Sequence, residues 1–169
     1  MSIADSLLPE FDQEMATTRR VLERVDETQL GWRPHERSTT LGGLASHLAQ
    51  LAGMGANVFA SPSLDVAPPG GPPRTPTVLG SRQEILDAFD ANAKRSRQAI
   101  ERADDAAMRE TWSLLNGGRP IFSLPRIAVL RTMLLSHAIH HRGQLTVYLR
   151  LTGALVPSIY GPSADESGM

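Results

Sequence analysis

Four segments of this chain carry apolar residues at steps of three and four positions, and this spacing constrains the fold more than any other feature. Such spacing collects the apolar side chains on one face of an α-helix, so it predicts four amphipathic helices. The predicted helices cover residues 3–25, 39–59, 81–103 and 125–151. Thr39 or Thr40 can cap the second helix, residues 81–84 have the pattern of a capping box, and Gly153 ends the fourth helix. We therefore predict an all-α four-helix bundle.

The connection between the second and third predicted helices is long and rich in proline. Residues 61–80 contain six of the twelve prolines, a composition that sustains neither a helix nor a central strand. In a helical bundle, such a loop indicates either a crossover from one end to the other or a flap over a site. Asn116, Gly117 and Gly118 would allow a short hairpin further along the chain. At the end, residues 164–169 are predicted to form a mobile tail.

Composition limits the range of functions. A length of 169 residues with 41% hydrophobic residues suits one domain, which we expect to span residues 1–169. The 17 basic and 18 acidic residues nearly cancel, which argues against a nucleic-acid or anionic-membrane partner. No apolar run is long enough to span a membrane and no signal peptide is evident, so we expect a cytoplasmic protein. The absence of cysteine excludes disulfides and any thiolate from the chain itself.

Three histidines fall on the predicted inward faces of two helices. His137 and His141 are about 40° apart around the helix axis and roughly 6 Å apart along it. His47 lies on the apolar face of the second helix. Polar imidazoles inside an apolar face need a partner. Together they can take three positions around one metal ion and leave the others for water or substrate, as in catalytic metal sites.

The alternative is that these three histidines are ordinary core residues held by hydrogen bonds. Of the other two, His140 is expected to face a partner helix, a metal ligand or solvent, and His35 to lie in a loop. No carboxylate falls on an inward face near the three histidines, which leaves Asp12 as a marginal candidate for a general base. Gln144 is predicted to contact a ligand or an interface, or to face solvent, and Arg142 to lie at the surface or in a dimer contact.

The order of these features resembles the DinB/YfiT-like family of bacterial four-helix proteins. The segments that carry the resemblance are Leu-Gly-Trp-Arg-Pro at 30–34, Leu-Ala-Ser-His-Leu-Ala at 44–49, His-Ala-Ile-His-His-Arg-Gly-Gln-Leu at 137–145 and the ending at 153–161. The resemblance implies an up-down-down-up bundle, commonly a homodimer, with one divalent metal held by His47, His137 and His141. Relatives include thiol transferases that use bacterial low-molecular-weight thiols, a metal-dependent maleylpyruvate isomerase and amidase-like proteins, so the fold does not choose a reaction.

Two hypotheses about function follow. The first is a metalloenzyme with zinc or nickel, either a hydrolase that uses metal-bound water or a thiol S-transferase that uses metal-bound thiolate, acting on a small molecule. The second is a non-catalytic bundle that binds a metal or a small molecule. An open coordination position favours the enzyme, whereas the lack of a clear general base favours the binding protein.

Overall fold

The computed structural model describes residues 1–72 and 74–167. Its helices are α1 (Ile3–Leu22), α2 (Leu41–Leu51), α3 (Met54–Ala60), α4 (Arg82–Arg102), α5 (Asp105–Arg109), α6 (Arg126–Val129) and α7 (His137–Leu151). A 3-10 turn at Glu27–Gln29 follows α1, and a π-helical segment at Leu130–Ser136 joins α6 to α7. The strands are β1 (Ser63–Asp65), β2 (Thr111–Asn116) and β3 (Arg119–Pro125). The fold is thus mostly helical with a small sheet.

The long helices enclose one apolar core. Helix α1 packs on α4 and α7, and α2 packs on the same two helices. The predicted ends are confirmed where capping side chains define them: Thr40 Oγ1 accepts the Gly43 amide at 3.0 Å, and Ser81 Oγ accepts the Glu84 amide at 3.1 Å. Gly153 follows α7 with a φ of +79°, a conformation that favours glycine. No helix among the described residues is long and apolar enough to cross a membrane.

The predicted second helix is divided into α2 and α3. The break lies at Ala52 and Gly53, where the Ser96 hydroxyl of α4 stands between two backbone groups of this helix. It donates to the Ala52 carbonyl and accepts the Ala56 amide at 3.2 Å. A side chain inserted into the ladder of helical hydrogen bonds bends or interrupts a helix. The spacing of apolar residues continues across the break, which is why it predicted a single helix.

The sheet corrects the all-α prediction. Strands β2 and β3 form an antiparallel hairpin through Gly117 and Gly118, whose φ angles are +61° and +76°, so the hairpin allowed by the sequence is present. Strand β1 adds to β2 in parallel as an edge strand. The Asp65 carboxylate fastens the edge, because it accepts the amides of Gly117 at 3.1 Å and Gly118 at 2.7 Å. A three-residue strand inside a proline-rich loop leaves no periodic pattern in the sequence.

The long loop after α3 returns over α2 before α4 begins. The Arg74 amide donates to the Val66 carbonyl at 2.8 Å, and the Leu79 amide donates to Ser46 Oγ of α2 at 2.9 Å. The side-chain amide of Gln50, also on α2, donates to the Thr77 carbonyl. These contacts place residues 74–79 beside the face of α2 that carries His47.

The π-helical segment changes which residues of the last helix face the core. The His137 amide donates to the Thr132 carbonyl, five residues earlier, so each turn here contains more residues than an α-helical turn. The core positions therefore advance by about one residue. Ala138 and Arg142 are 3% and 1% exposed, whereas His137 and His141 lie beside them and are only half-buried.

Arg142 is consequently a core residue, and its prediction as a surface or dimer-contact residue was wrong. Its guanidinium pairs with the Glu14 carboxylate of α1 at 2.7 Å and donates to the Tyr160 hydroxyl at 2.6 Å. Tyr160 in turn donates to Glu14 at 2.9 Å. Burial and the bond to Glu14 raise the pKa of the Tyr160 hydroxyl, so it stays a donor. This cluster of Arg142, Glu14 and Tyr160 joins α7, α1 and the C-terminal segment.

The predicted mobile tail has contacts that the sequence did not indicate. Asp165 pairs with Arg150, and Glu166 pairs with Arg20 at 2.7 Å and Arg24 at 2.9 Å. The residues up to 166 therefore lie against α1 and α7. Residues 168 and 169 lie outside the described residues, and for them the mobile tail stays a prediction.

Replacing Arg142 should destabilise the fold strongly. Arg142→Met leaves the Glu14 carboxylate buried without its cation, so we expect the free energy of unfolding to fall by about 3–5 kcal/mol. Urea titration of both proteins measures the difference. As a matched control, Arg97→Met breaks an exposed pair with Asp12 and should cost no more than about 1 kcal/mol. Equal losses in the two variants would contradict the importance of the buried pair.

Candidate metal centre

The three predicted histidines converge between two helices. His47 lies in the middle of α2, and His137 and His141 lie on successive turns at the start of α7. One ring nitrogen from each residue can be chosen so that all three lie within 4.8 Å of one another. The centroid of the His47 ring lies 5.2 Å from that of the His137 ring and 4.6 Å from that of the His141 ring. The arrangement could hold a metal ion, as the sequence spacing indicated.

Gln144 sets the proton position on one of these rings. Its amide oxygen lies 2.7 Å from Nδ1 of His141, and because that oxygen can only accept, Nδ1 carries the proton. The lone pair of His141 is then on Nε2, which faces Nε2 of His137 at 2.8 Å. A contact of this kind, through the nitrogen that does not bind the ion, is the usual way that proteins orient metal-binding histidines. Gln144, left open by the sequence, is therefore part of the site.

The donor set fits a divalent cation. Two facing Nε2 atoms satisfy each other only if one of them carries a proton, and the side chain of His47 has no hydrogen bond to any of the described residues. A cation would accept the lone pairs of all three rings at once. Three imidazoles without a carboxylate suit zinc, nickel, copper or iron.

The electrostatic setting lowers the pKa values of His47 and His137. Burial lowers the pKa of His47 to about 4, and the nearby His141 and His137 lower it as well. Burial, followed by the charge of His141, also lowers the pKa of His137. Because a protonated imidazole cannot bind a metal, these lowered pKa values keep both rings available as ligands at neutral pH.

Two cavities open beside the histidines. A cavity of about 200 Å³ lies against His47 and His141 and is walled mainly by apolar side chains, Val78 among them. A second, of about 460 Å³, lies on the other side of His47 and includes Arg74. Pro76 borders both cavities, so the proline-rich loop lies over the site, which supports its interpretation as a flap. No carboxylate lines either cavity within residues 1–72 and 74–167.

Three other sequence candidates do not belong to this centre, although the centroid of the His140 ring lies 5.0 Å from that of the His141 ring. His140 is exposed, and its nitrogens do not belong to the converging group. His35 lies in an exposed loop, as predicted, where Nδ1 accepts the Arg37 amide at 3.2 Å. Asp12 is exposed and paired with Arg97 at 2.9 Å, and it lines neither cavity. Asp12 is therefore not the general base of this site.

The sequence pattern did not indicate some of the residues around the site. Arg74 and Thr77 reach the larger cavity through the path of the loop, for which periodicity gives no signal. Trp32 packs edge-on against Tyr148 at 5.6 Å, and the Tyr148 hydroxyl donates to the Thr39 carbonyl at 3.3 Å. Since Thr39 lines the smaller cavity, this contact supports one of its walls. In the sequence, only the Trp-Arg-Pro segment at 32–34 indicated this arrangement.

The lowered pKa of His47 predicts a pH-dependent stability for the metal-free protein. The pKa is about 4 in the folded chain and 6.5 ordinarily, so between these values the unfolded chain binds more protons. The free energy of unfolding should therefore increase as pH rises through this window and decrease as pH falls through it. We expect the urea midpoint of chelator-treated protein to be lower near pH 5 than near pH 7.

The comparison of two variants tests this assignment. His47→Asn should flatten the pH dependence, whereas His35→Asn, at an exposed loop position, should leave it unchanged. The same slope in His47→Asn as in the original chain would show that His47 is not the responsible group.

Comparisons with known proteins agree with the fold. A sequence model of the DinB superfamily matches residues 10–145. The uncharacterized protein YrdA of Bacillus subtilis strain 168 is 28% identical over 163 residues, which cover 96% of this chain and 90% of that protein. The crystal structure of a DinB-like protein from Bacillus cereus ATCC 10987 superposes with a TM-score of 0.72 at 21% identity, covering 94% of this chain and 98% of the other. The crystal structure of the DinB-like protein YjoA of Bacillus subtilis superposes with a TM-score of 0.67 at 17% identity, covering 92% of this chain and 97% of the other.

Proposed function

The chain belongs to the DinB superfamily, and we propose that it is a metal-dependent enzyme whose divalent cation is held by His47, His137 and His141. The observation that carries this proposal is the convergence of three imidazole nitrogens beside two cavities. Three protein ligands with an exchangeable position are typical of catalytic rather than structural metal sites. Zinc or nickel is the cation that we propose.

When bound, such a cation would lower the pKa of a water or thiol and polarise a carbonyl group. The chain supplies the setting for that chemistry. Gln144 holds the proton of His141 on Nδ1 and leaves Nε2 free, and burial keeps His47 neutral. The loop forms part of the wall of both cavities, through Pro76 in each and Val78 in the smaller one.

Between the two reactions, we favour thiol S-transfer over hydrolysis. Hydrolysis through an activated water usually needs a carboxylate or imidazole as general base, and no carboxylate lines the described parts of the cavities. A thiol has a pKa closer to neutrality, so it can lose its proton to solvent once its thiolate form is stabilised. Because the chain has no cysteine, the thiol would be a small-molecule cosubstrate.

The lack of a carboxylate also supports a second candidate, a non-catalytic protein that binds a metal or a small molecule. In that case the histidines would fasten α2 to α7 without any turnover. The two candidates differ in whether the metal form processes a substrate and in whether the metal-free form stays folded.

Each of the three histidines should be required for metal binding. We expect the purified protein to carry about one divalent ion per chain, and His47→Ala, His137→Ala and His141→Ala each to lose most of it, because each removes one ligand. Elemental analysis after gel filtration gives the occupancy. His140→Ala is the matched control on the same helix and should keep its metal.

Gln144→Leu should lower the metal affinity by about 10- to 100-fold, less than the loss of a ligand does. The reason is that Gln144 orients His141 without binding the ion itself. Full occupancy in all three histidine variants would refute the metal site.

Activity should depend on the metal while folding should not. We expect thiol-dependent transfer, in a screen that also includes esters and amides, to stop when a chelator removes the ion and to return on addition of zinc or nickel. Far-ultraviolet circular dichroism should keep most of its helical signal, because the apolar core does not include the histidines. Unfolding on chelation would instead identify a structural clip, and a folded metal form without any turnover would favour the binding protein.

We further propose that the long helical runs form an up-down-down-up four-helix bundle in a single domain, and that two chains associate through helix faces away from the histidines. Val147 and Leu151 of α7 are 56% and 59% exposed and lie one turn apart, as an apolar contact surface requires. Light scattering at micromolar concentration should give twice the 18.3 kDa mass of one chain. A mass of one chain would rule the homodimer out.

A further inference from the structure

We propose that the substrate of this site carries an anionic group, a carboxylate or a phosphate, that pairs with Arg74. The inference rests on the proposed function, because it places the reacting part of the molecule at the three histidines and its charged end at the loop. It adds the chemical class of the substrate and the residue that selects it.

The larger cavity can hold both the reacting part and the charged group of such a molecule. It has a volume of about 460 Å³, within the range of small-molecule sites, and His47 and Arg74 both line it. Gln50 and Thr77 contribute polar groups between them, and Leu51 and Leu64 contribute apolar surface. A ligand that fills this cavity would meet both an imidazole and a guanidinium.

Arg74 is the only charged side chain among the described residues of this cavity. Its guanidinium forms no ion pair and no hydrogen bond with a described residue. Nine of the other fifteen arginines form an ion pair with a described acidic residue, as in the pairs of Arg97 with Asp12 and Arg19 with Asp90. The cavity therefore presents an uncompensated positive charge, which favours a negatively charged ligand.

One acidic residue, Asp65, shares a neighbouring cavity with Arg74 and is held by other contacts. Asp65 borders the adjoining cavity together with Arg74, yet the two do not form an ion pair. The Asp65 carboxylate instead accepts the amides of Ala67, Gly117 and Gly118 at 2.7–3.1 Å. These bonds fix the Asp65 carboxylate to the hairpin turn, and it forms no ion pair with Arg74.

The backbone of Arg74 is held in place although its side chain is exposed. The Arg74 amide donates to the Val66 carbonyl at 2.8 Å, and Gln50 holds the Thr77 carbonyl three residues later. The loop thus anchors the backbone from which Arg74 reaches the cavity that His47 also lines. A planar guanidinium binds a carboxylate or a phosphate through two parallel hydrogen bonds, which a neutral group cannot reproduce.

The test measures anion binding by NMR, with butyrate and inorganic phosphate as probes and butyramide as the neutral analogue of butyrate. It uses nitrogen-15-labelled protein as purified and again after chelation, so that binding to a metal is distinguished from binding to Arg74. We expect one of the two anions to shift the signals of Thr75, Thr77 and the Gln50 side chain in both samples, and butyramide to shift them much less. Which anion binds more tightly distinguishes a carboxylate from a phosphate substrate.

Variants make the assignment specific. Arg74→Met should weaken anion binding by at least about tenfold, since it removes a charged hydrogen-bond donor, and Arg74→Lys should recover part of it. Arg119→Met, which removes an exposed arginine of β3 outside the cavity, should bind as the original chain does. The proposal is overturned if butyramide shifts these signals as strongly as the better-binding anion, if Arg74→Met binds that anion unchanged, or if neither anion shifts these signals at tens of millimolar.

The result also separates this inference from the metal-dependent function. Loss of anion binding in Arg74→Met, in a protein whose histidines bind no metal, would uphold the anion site and refute the metalloenzyme. Metal-dependent turnover that is indifferent to Arg74→Met would uphold the enzyme and refute the anion site.

Discussion

The buried ion pair between Arg142 and Glu14 is the contact on which the rest of the structure most depends. A guanidinium that is 1% exposed must be compensated inside the protein, and the Glu14 carboxylate and the Tyr160 hydroxyl do so. The pair fixes the rotation of α7 about its own axis, because Arg142 has one position where both partners are reached. His141 is the preceding residue, so the same rotation turns its ring toward α2 and His47.

The histidine centre combines features that have separate physical origins. Helix packing brings the three rings together, and Gln144 selects the tautomer of one of them. The proline-rich loop adds the cover and the single positive charge of the larger cavity. One fold can host different reactions, and a surface loop is where a chain can vary without disturbing its core.

The sequence predicted most of the helices and the three converging histidines because both depend on local spacing. Thr40, Ser81 and Gly153 marked helix ends through side-chain or backbone chemistry that acts within a few residues. The sequence did not predict β1, whose pairing with β2 joins segments about fifty residues apart along the chain. Arg142 was placed at the surface because an α-helical period was assumed through a segment that is π-helical. The divided second helix was missed since its cause, the Ser96 hydroxyl, lies on another helix.

The π-helical segment also has a consequence for how this chain could have evolved. A π-helical turn contains one residue more than an α-helical turn, so it is equivalent to a single insertion that leaves both ends of the helix in place. Loss of that extra residue between positions 130 and 136 would restore an α-helix and leave the later residues facing as they do now. An α-helical segment that kept every residue would instead rotate the rest of the helix by about 100°. Arg142 and the histidines would then exchange their surroundings, the cation leaving the core and the imidazoles entering it. Ligand spacing alone therefore does not identify a working site in a relative, since the helical geometry before the first histidine decides which way both ligands point.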